Sequence, residues 1–225
     1  MTATTASSSA MQALAHVASR KSVGETLHRQ LNQLAAAVLL LIFSPLMLAV
    51  ALLIMRRDGA PVFFGHYRVG LQGRLFRCYK FRTMYRNSAA MLSDLLQNDS
   101  VARAEWDCDQ KLSNDPRVTP VGAFLRRTSL DELPQLFNVL RGEMALVGPR
   151  PITLNELSRY GRVRWNYLSV LPGMTGLWQV SGRSSTTYEQ RVALDREYVD
   201  QRGLRMDLSI LLRTVRVVLA RDGAH

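Results

Sequence analysis

Two adjacent carboxylates, Asp131 and Glu132, stand in the run Arg126-Arg127-Thr128-Ser129-Leu130-Asp131-Glu132-Leu133-Pro134, close behind two cations. Neighbouring side chains diverge in mid-helix, so such a pair can serve one ligand only at a helix start. There the free N–H groups and the positive end of the dipole would hold Asp131 ionised, competent as a nucleophile towards phosphorus. Ser129-x-x-Glu132 also has the spacing of a capping box, a purely structural device. In Val147-Gly148-Pro149-Arg150-Pro151, two prolines hold Arg150 in rigid extended backbone, which suits a fixed clamp on a phosphate. Solvated arginines in Pro-rich turns are equally common. The segment PGMTGLWQVSGR at 172–183 is dense in glycine, which lets backbone approach a ligand closely. Its Trp178 and Arg183 suit a base and phosphates, with Gln179 as a further substrate contact, but it matches neither the P-loop nor GxGxxG. Lys80 and Arg82 add two more cations, on what is otherwise a solvated strand face. A carboxylate pair among cations suits phosphoryl chemistry, because a diphosphate must be neutralised by Arg, Lys or Mg²⁺ before a carboxylate attacks it.

Length and hydropathy limit what can hold these residues. A chain of 225 residues with 47 % hydrophobic content is one domain or a domain and a half with a proper core, which excludes wholesale disorder. Two cysteines, neither with neighbours at metal-ligand spacing, exclude a disulfide scaffold and make a reducing compartment the default. Lys and Arg number 29 against 18 Asp and Glu, a formal charge of +11 that draws anionic partners. Mean hydropathy near zero excludes a polytopic membrane protein, yet residues 34–55, LAAAVLLLIFSPLMLAVALLIM, carry no charge. As a straight helix this run would span roughly 30 Å of hydrocarbon. It is too long and starts too late for a cleaved signal peptide, and a fold of this size has little room to bury it. Pro45 removes a backbone donor and crowds the carbonyl four residues earlier, so the helix must kink or break at Ser44-Pro45. Arg20, Lys21 and Arg29 precede the run, Arg56 and Arg57 follow it, and the positive-inside rule places both flanks in the cytoplasm. A helix that enters, breaks at Ser44-Pro45 and returns to the same face satisfies both features; a kinked spanning helix is the competing form.

The chain therefore divides into a flexible tail rich in Ala, Ser and Thr (1–26), a re-entrant membrane helix (27–57) and a cytosolic catalytic domain of α+β class (58–225). In that domain 61–67 and 74–84 read as a β-hairpin turned at Gly70-Leu71-Gln72-Gly73, with Phe76, Cys78, Lys80 and Arg82 on one face. Residues 87–111 read as one helix, a short helix starts at Pro120 and runs through Arg127, and another over 136–140 stops near Gly142. Between 207 and 221, Leu208, Leu211, Leu212, Val215, Val218 and Leu219 have helical spacing, opposite Arg213, Arg216 and Arg221. Such amphipathic helices lie either on an anionic membrane surface or over the core.

The order of the motifs resembles one family. An apolar run with SP, then KFRTM, DPRVTPVGAFLRRTSLDELPQL, NVLRGEMALVGPRP and PGMTGLWQVSGR, is similar to the bacterial sugar transferases, the monotopic polyprenyl-phosphate phosphoglycosyl transferases. The likeness covers nearly the whole chain and is greatest to the short exopolysaccharide-initiating members that move galactose phosphate to undecaprenyl phosphate. It implies transfer of a hexose-1-phosphate, galactose before glucose, from a UDP-sugar to undecaprenyl phosphate with release of UMP. By the same resemblance Asp131 is the nucleophile of a covalent phospho-sugar intermediate, and Glu132, with Asp131, holds or orients Mg²⁺. Arg150 grips a phosphate, Lys80, Arg82 and Arg126 support the site, and Gln179 and Arg183 meet the UDP part. It further implies a bacterial inner-membrane location with the catalytic domain facing the cytoplasm, a homodimer, and downstream glycosyltransferases. No nucleic acid is expected as a partner; a membrane-tethered basic adaptor or nucleic-acid binder is the competing class, and it needs neither Asp131 nor Arg150.

Overall fold

In the computed structural model, which describes residues 3–109, 112–182 and 186–220, helix α1 (Ala3–Asp58) carries the apolar run. It passes through Pro45 without interruption. Proline has no N–H for the Leu41 carbonyl, and the Ser44 hydroxyl donates to that carbonyl instead, at 2.9 Å. Of the expected kink or break at Ser44-Pro45, an interruption does not occur, because the orphaned acceptor is satisfied from within the same turn. Gly24–Asp58 is long and apolar enough to cross a membrane, and only 17 % of its most apolar window is buried. A soluble core helix would show the opposite.

Strands β1 (Phe63–Val69) and β2 (Leu75–Phe81) pair antiparallel, from Phe63 opposite Phe81 to Val69 opposite Leu75. A tight turn over Leu71–Gly73 joins them, as the spacing predicts. The expected single helix over 87–111 is two, α2 (Ser88–Asn98) and α3 (Ser100–Asp109). Asp99 divides them by accepting the N–H groups of Val101 and Ala102 on Oδ1 at 2.9 Å each. Helix α4 (Pro120–Arg127) opens on a Thr119 cap that accepts from the Gly122 N–H, with Pro120 in the first turn. Helix α5 (Gln135–Leu140) ends at Gly142, whose φ of 71° permits bonds from Gly142 N to Val139 O and Glu143 N to Asn138 O.

Short parallel strands β3 (Ala145–Val147) and β4 (Gly173–Thr175) form a second sheet. Helices α6 (Leu154–Arg159) and α7 (Arg164–Leu168) lie between them, and α8 (Leu177–Val180), α9 (Tyr188–Gln201) and α10 (Leu204–Ala220) follow. The glycines at 173 and 176 serve packing: a Cβ would stand 2.1 Å from the Gly148 nitrogen at the first and 2.1 Å from the Gly148 oxygen at the second. The close approach expected of this segment is thus protein on protein, between the end of β3 and the β4–α8 connection.

Between Glu25 and Asp58, helix α1 packs on this body. Ala36, with Leu39 and Leu40, joins Phe76, Cys78, Leu136, Val139 and Met144. Beyond Pro45, Met47, Val50 and Ile54 join Val62, Phe81 and Leu125. Polar ties hold both ends: Glu25 to Arg202 (3.0 Å), His28 to Asp207 (3.0 Å) and Asn32 Oδ1 to the Leu146 N–H (2.7 Å) at one, and Arg82 to the Asp58 carbonyl (2.9 Å) at the other.

Candidate active site

The carboxylate pair sits on a single 3-10 turn, Leu130–Glu132, between α4 and α5. Leu130 and Leu133, three apart and so on one side of the turn, pack towards α1. Asp131 and Glu132 are left to face β2, where Lys80 Nζ meets Glu132 Oε1 at 2.6 Å and Asp131 Oδ2 at 3.8 Å. The capping-box reading fails. Ser129 is in the left-handed region at φ 56° and makes no side-chain cap, so the turn places its carboxylates rather than starting a long helix. The expected hold of a helix dipole on Asp131 is outweighed too: burial pushes its carboxyl up to about 6, aided by Glu132 and opposed by Lys80 and Arg126.

Two supports fix this geometry. Asn138 of α5 is fully buried and acts as a third strand beside β2, accepting the Tyr79 N–H at 3.0 Å and donating to the Arg77 carbonyl at 2.8 Å. On the other side, Thr119 N donates to Thr83 O at 3.0 Å, and Gly122 lies so close to Thr83 that a Cβ would stand 2.0 Å from its carbonyl oxygen. This contact seats α4 and brings Arg126 Nε to the Thr83 hydroxyl at 3.0 Å.

Of the remaining candidates, Arg150 follows β3 and stacks its guanidinium 5.4 Å from the Trp178 ring. Burial pushes the Cys78 thiol up against the pull of Lys80, Arg68 and Arg150, and the strand register puts Arg68 and Lys80 on the same face of the hairpin as Cys78. Gln179 is buried on α8. Arg82 stands apart. The strand ends at Phe81, the alternation that put Arg82 beside Lys80 ends with it, and its guanidinium donates to the Asp58 and Gly59 carbonyls at the foot of α1. Arg183 lies outside the described residues.

A buried charge network beside Arg150 had no signal in the sequence. Glu156 takes Arg68 at 3.1 Å and Arg191 at 3.3 Å while completing the capping box of α6 with Thr153. Asp195 accepts the Tyr160 hydroxyl at 2.7 Å. Burial pushes its carboxyl up to about 6 in spite of Arg191 and Arg150 nearby. These residues are spread from 68 to 195, and the cap spacing of Thr153-x-x-Glu156 marks only a helix start, not the network.

The turn thus aims two carboxylates at a lysine, with Arg68 on the same hairpin face and an exposed apolar helix behind it. The bacterial sugar transferase family model matches residues 23–221, and the chain belongs to that family. It is 54 % identical over 199 residues to the undecaprenyl-phosphate galactose phosphotransferase of Salmonella typhimurium, covering 88 % of this chain and 42 % of that protein. It is 46 % identical over 203 residues to the exopolysaccharide production protein ExoY of Rhizobium meliloti, covering 90 % of each. To the UDP-glucose:undecaprenyl-phosphate glucose-1-phosphate transferase of Escherichia coli it is 37 % identical over 201 residues, 86 % of this chain and 40 % of that protein. The chain thus spans well under half of the Salmonella and Escherichia relatives but nearly all of ExoY.

Proposed function

We propose that this protein transfers a hexose-1-phosphate from a UDP-sugar to undecaprenyl phosphate and so starts an exopolysaccharide unit. Galactose is the first candidate and glucose the second, in keeping with the names of the relatives. The observation that carries the reading is the meeting of Asp131 and Glu132 with Lys80. In the proposed cycle an Asp131 carboxylate oxygen attacks the sugar-bearing phosphorus, and the bond from that phosphorus to the bridging oxygen breaks, releasing UMP. A phosphate oxygen of the lipid then attacks the same phosphorus, the bond to Asp131 breaks, and the carboxylate is restored. Lys80 keeps Glu132 and Asp131 oriented and offsets the negative charge that gathers as the phosphates arrive. Arg150 and Arg126 hold phosphate oxygens, with Gln179 and Arg183 towards the UDP part; Arg82 anchors the end of α1.

Adjacent carboxylates suit Mg²⁺, which takes one or two carboxylates plus substrate phosphates and water. Among the described residues no group of three or more His, Cys, Asp or Glu forms an all-protein cage, so Asp131 and Glu132 are the donors that would hold it. When bound, the ion neutralises diphosphate charge.

Helix α1 is proposed to dip into the cytoplasmic leaflet of the bacterial inner membrane and return by bending at Pro45 while staying helical, with the catalytic domain in the cytoplasm. Packing of both halves of the helix on one body supports this over a spanning helix, whose ends would lie on opposite sides. Homodimers and hand-over to extending glycosyltransferases fit the same role.

The test withholds the lipid. Detergent-purified protein with Mg²⁺ and UDP-galactose or UDP-glucose should release one equivalent of UMP and gain a hexose-phosphate mass on Asp131, and Asp131→Asn should do neither. UMP that appears only after undecaprenyl phosphate is added means direct transfer, and the nucleophilic role of Asp131 is then wrong.

A further inference from the structure

Five side chains beside the site form a continuous ladder of alternating guanidinium groups and aromatic rings. Arg150 lies 5.4 Å from the Trp178 ring centroid, and Arg191 lies 4.9 Å from the same centroid. Arg191 is also 5.4 Å from the Tyr188 centroid, and Arg159 covers Tyr188 at 3.6 Å. The two guanidinium groups that share Trp178 are held very differently. Arg191 is 9 % exposed, its Nη1 meets Glu156 Oε1 at 3.3 Å, and its Nε and Nη2 are buried without a hydrogen-bond partner. Arg150 is half-buried, on the backbone just past β3. Trp178 between them is pinned by its own N–H, which donates to the Thr186 hydroxyl at 2.6 Å.

We propose that Arg191 is a positioning residue for the donor phosphates, acting through the Trp178 ring on Arg150. It rests on Arg150 being a donor-phosphate ligand. A guanidinium stacked on a ring loses rotational freedom but keeps its in-plane N–H groups for a planar, two-point grip on phosphate oxygens. A ring that is itself held by a buried cation and a hydroxyl offers a fixed surface for that stack, so less freedom is lost when the donor binds. The alternative for Arg191 is a purely architectural tie between α9 and α6 through Glu156.

The full-length protein in nanodiscs containing undecaprenyl phosphate separates the two, read by UMP release with the turned-over UDP-hexose and by melting temperature. Arg191→Met is expected to lower kcat/KM about tenfold or more, chiefly through KM, since small displacements of a binding group are costly. Arg191→Lys keeps the charge and the reach to Glu156 but not the planar stack, and is expected to stay impaired. Trp178→Leu should match Arg191→Met, and the double variant should be no worse than the more impaired single one, because both remove one coupled unit. Effects that multiply, full recovery in Arg191→Lys, or a change confined to melting temperature would each overturn the inference. If Arg150→Met raises KM while Arg191→Met does not, the inference falls and the transferase reading stands. If Arg150→Met leaves KM unchanged, the phosphate role of Arg150 falls, and the inference with it.

Discussion

Asp131 and Asp195 are both buried carboxyls pushed up to about 6, yet their surroundings give them different work. Asp131 is beside Lys80 and Glu132, whose side chains are partly exposed, so the phosphate of the proposed cycle would meet it from that side. Asp195 is 2 % exposed, bonded to Tyr160, and serves the wall behind Arg150. Its effect on stability has a definite sign. The folded value lies above the ordinary 3.8, so the native state takes up the proton first. Stability from this group is full at low pH and falls as pH rises through about 6, by about 3 kcal/mol at most. Asp195→Asn is expected to flatten that fall in a melting series from about pH 4 to about pH 7. A slope as steep as that of the unaltered protein would show that Asp195 is not its source.

At the level of elements, the site depends on the seating of β2 between α4 and α5. Asn138 carries one side alone, satisfying two strand backbone groups and pairing with Glu143 at 2.6 Å. Asn138→Leu fills similar volume but leaves those groups buried and unpaired, a loss of about 3 kcal/mol that should appear as a lowered melting temperature. Helix α10 makes a different point. Its sequence stripe splits in the fold: Leu211 packs on the core beside Ile210 and Met206, which lay outside the stripe, whereas Leu208, Leu212 and Val215 are 59 %, 66 % and 59 % exposed, in line with Leu204. Arg213, which lies among lipid headgroups only in the membrane-surface alternative, donates to the Val180 carbonyl at 2.9 Å and so ties α10 to α8. If the exposed stripe rests on the membrane, Leu208→Glu with Leu212→Glu should weaken turnover of the lipid acceptor several-fold, by about 1 kcal/mol or more, with melting temperature nearly unchanged. Unaltered turnover would remove α10 from the membrane contact.

For the whole molecule the decisive relation is between α1 and the body it carries. One face of the helix is buried by Ala36, Met47, Val50 and Ile54, and the other exposes leucines at 34, 41, 48 and 52. A spanning helix cannot keep both its halves against one domain on one side of the membrane. Single cysteines at Leu27 and Arg56, in a background lacking Cys78 and Cys108, should therefore both react with a membrane-impermeant maleimide from the cytoplasmic side. Labelling of the two from opposite sides would establish a spanning helix instead.

Much of this architecture was written locally. The uncharged run at 34–55, the Gly70–Gly73 turn, Thr119-Pro120 and Gly142 act through backbone rules that reach only a few residues, so the apolar part of α1, the hairpin, α4 and α5 were legible in order, and the last three nearly in extent. So were the residue types of the candidate site, since Asp131-Glu132, Lys80 and Arg150 suit phosphoryl chemistry only when taken together. What met what was not legible. Lys80 and Glu132 are 52 positions apart, and their 2.6 Å contact exists because Asn138 and Gly122 seat two helices against one strand. The same packing sent Arg82 to α1, turned Ser129 out of a cap, and placed Arg191 behind Trp178. Periodicity and capping are short-range and survive in the linear chain, whereas pairing of charges across the fold depends on which buried surfaces exclude water together, and only the tertiary structure decides that.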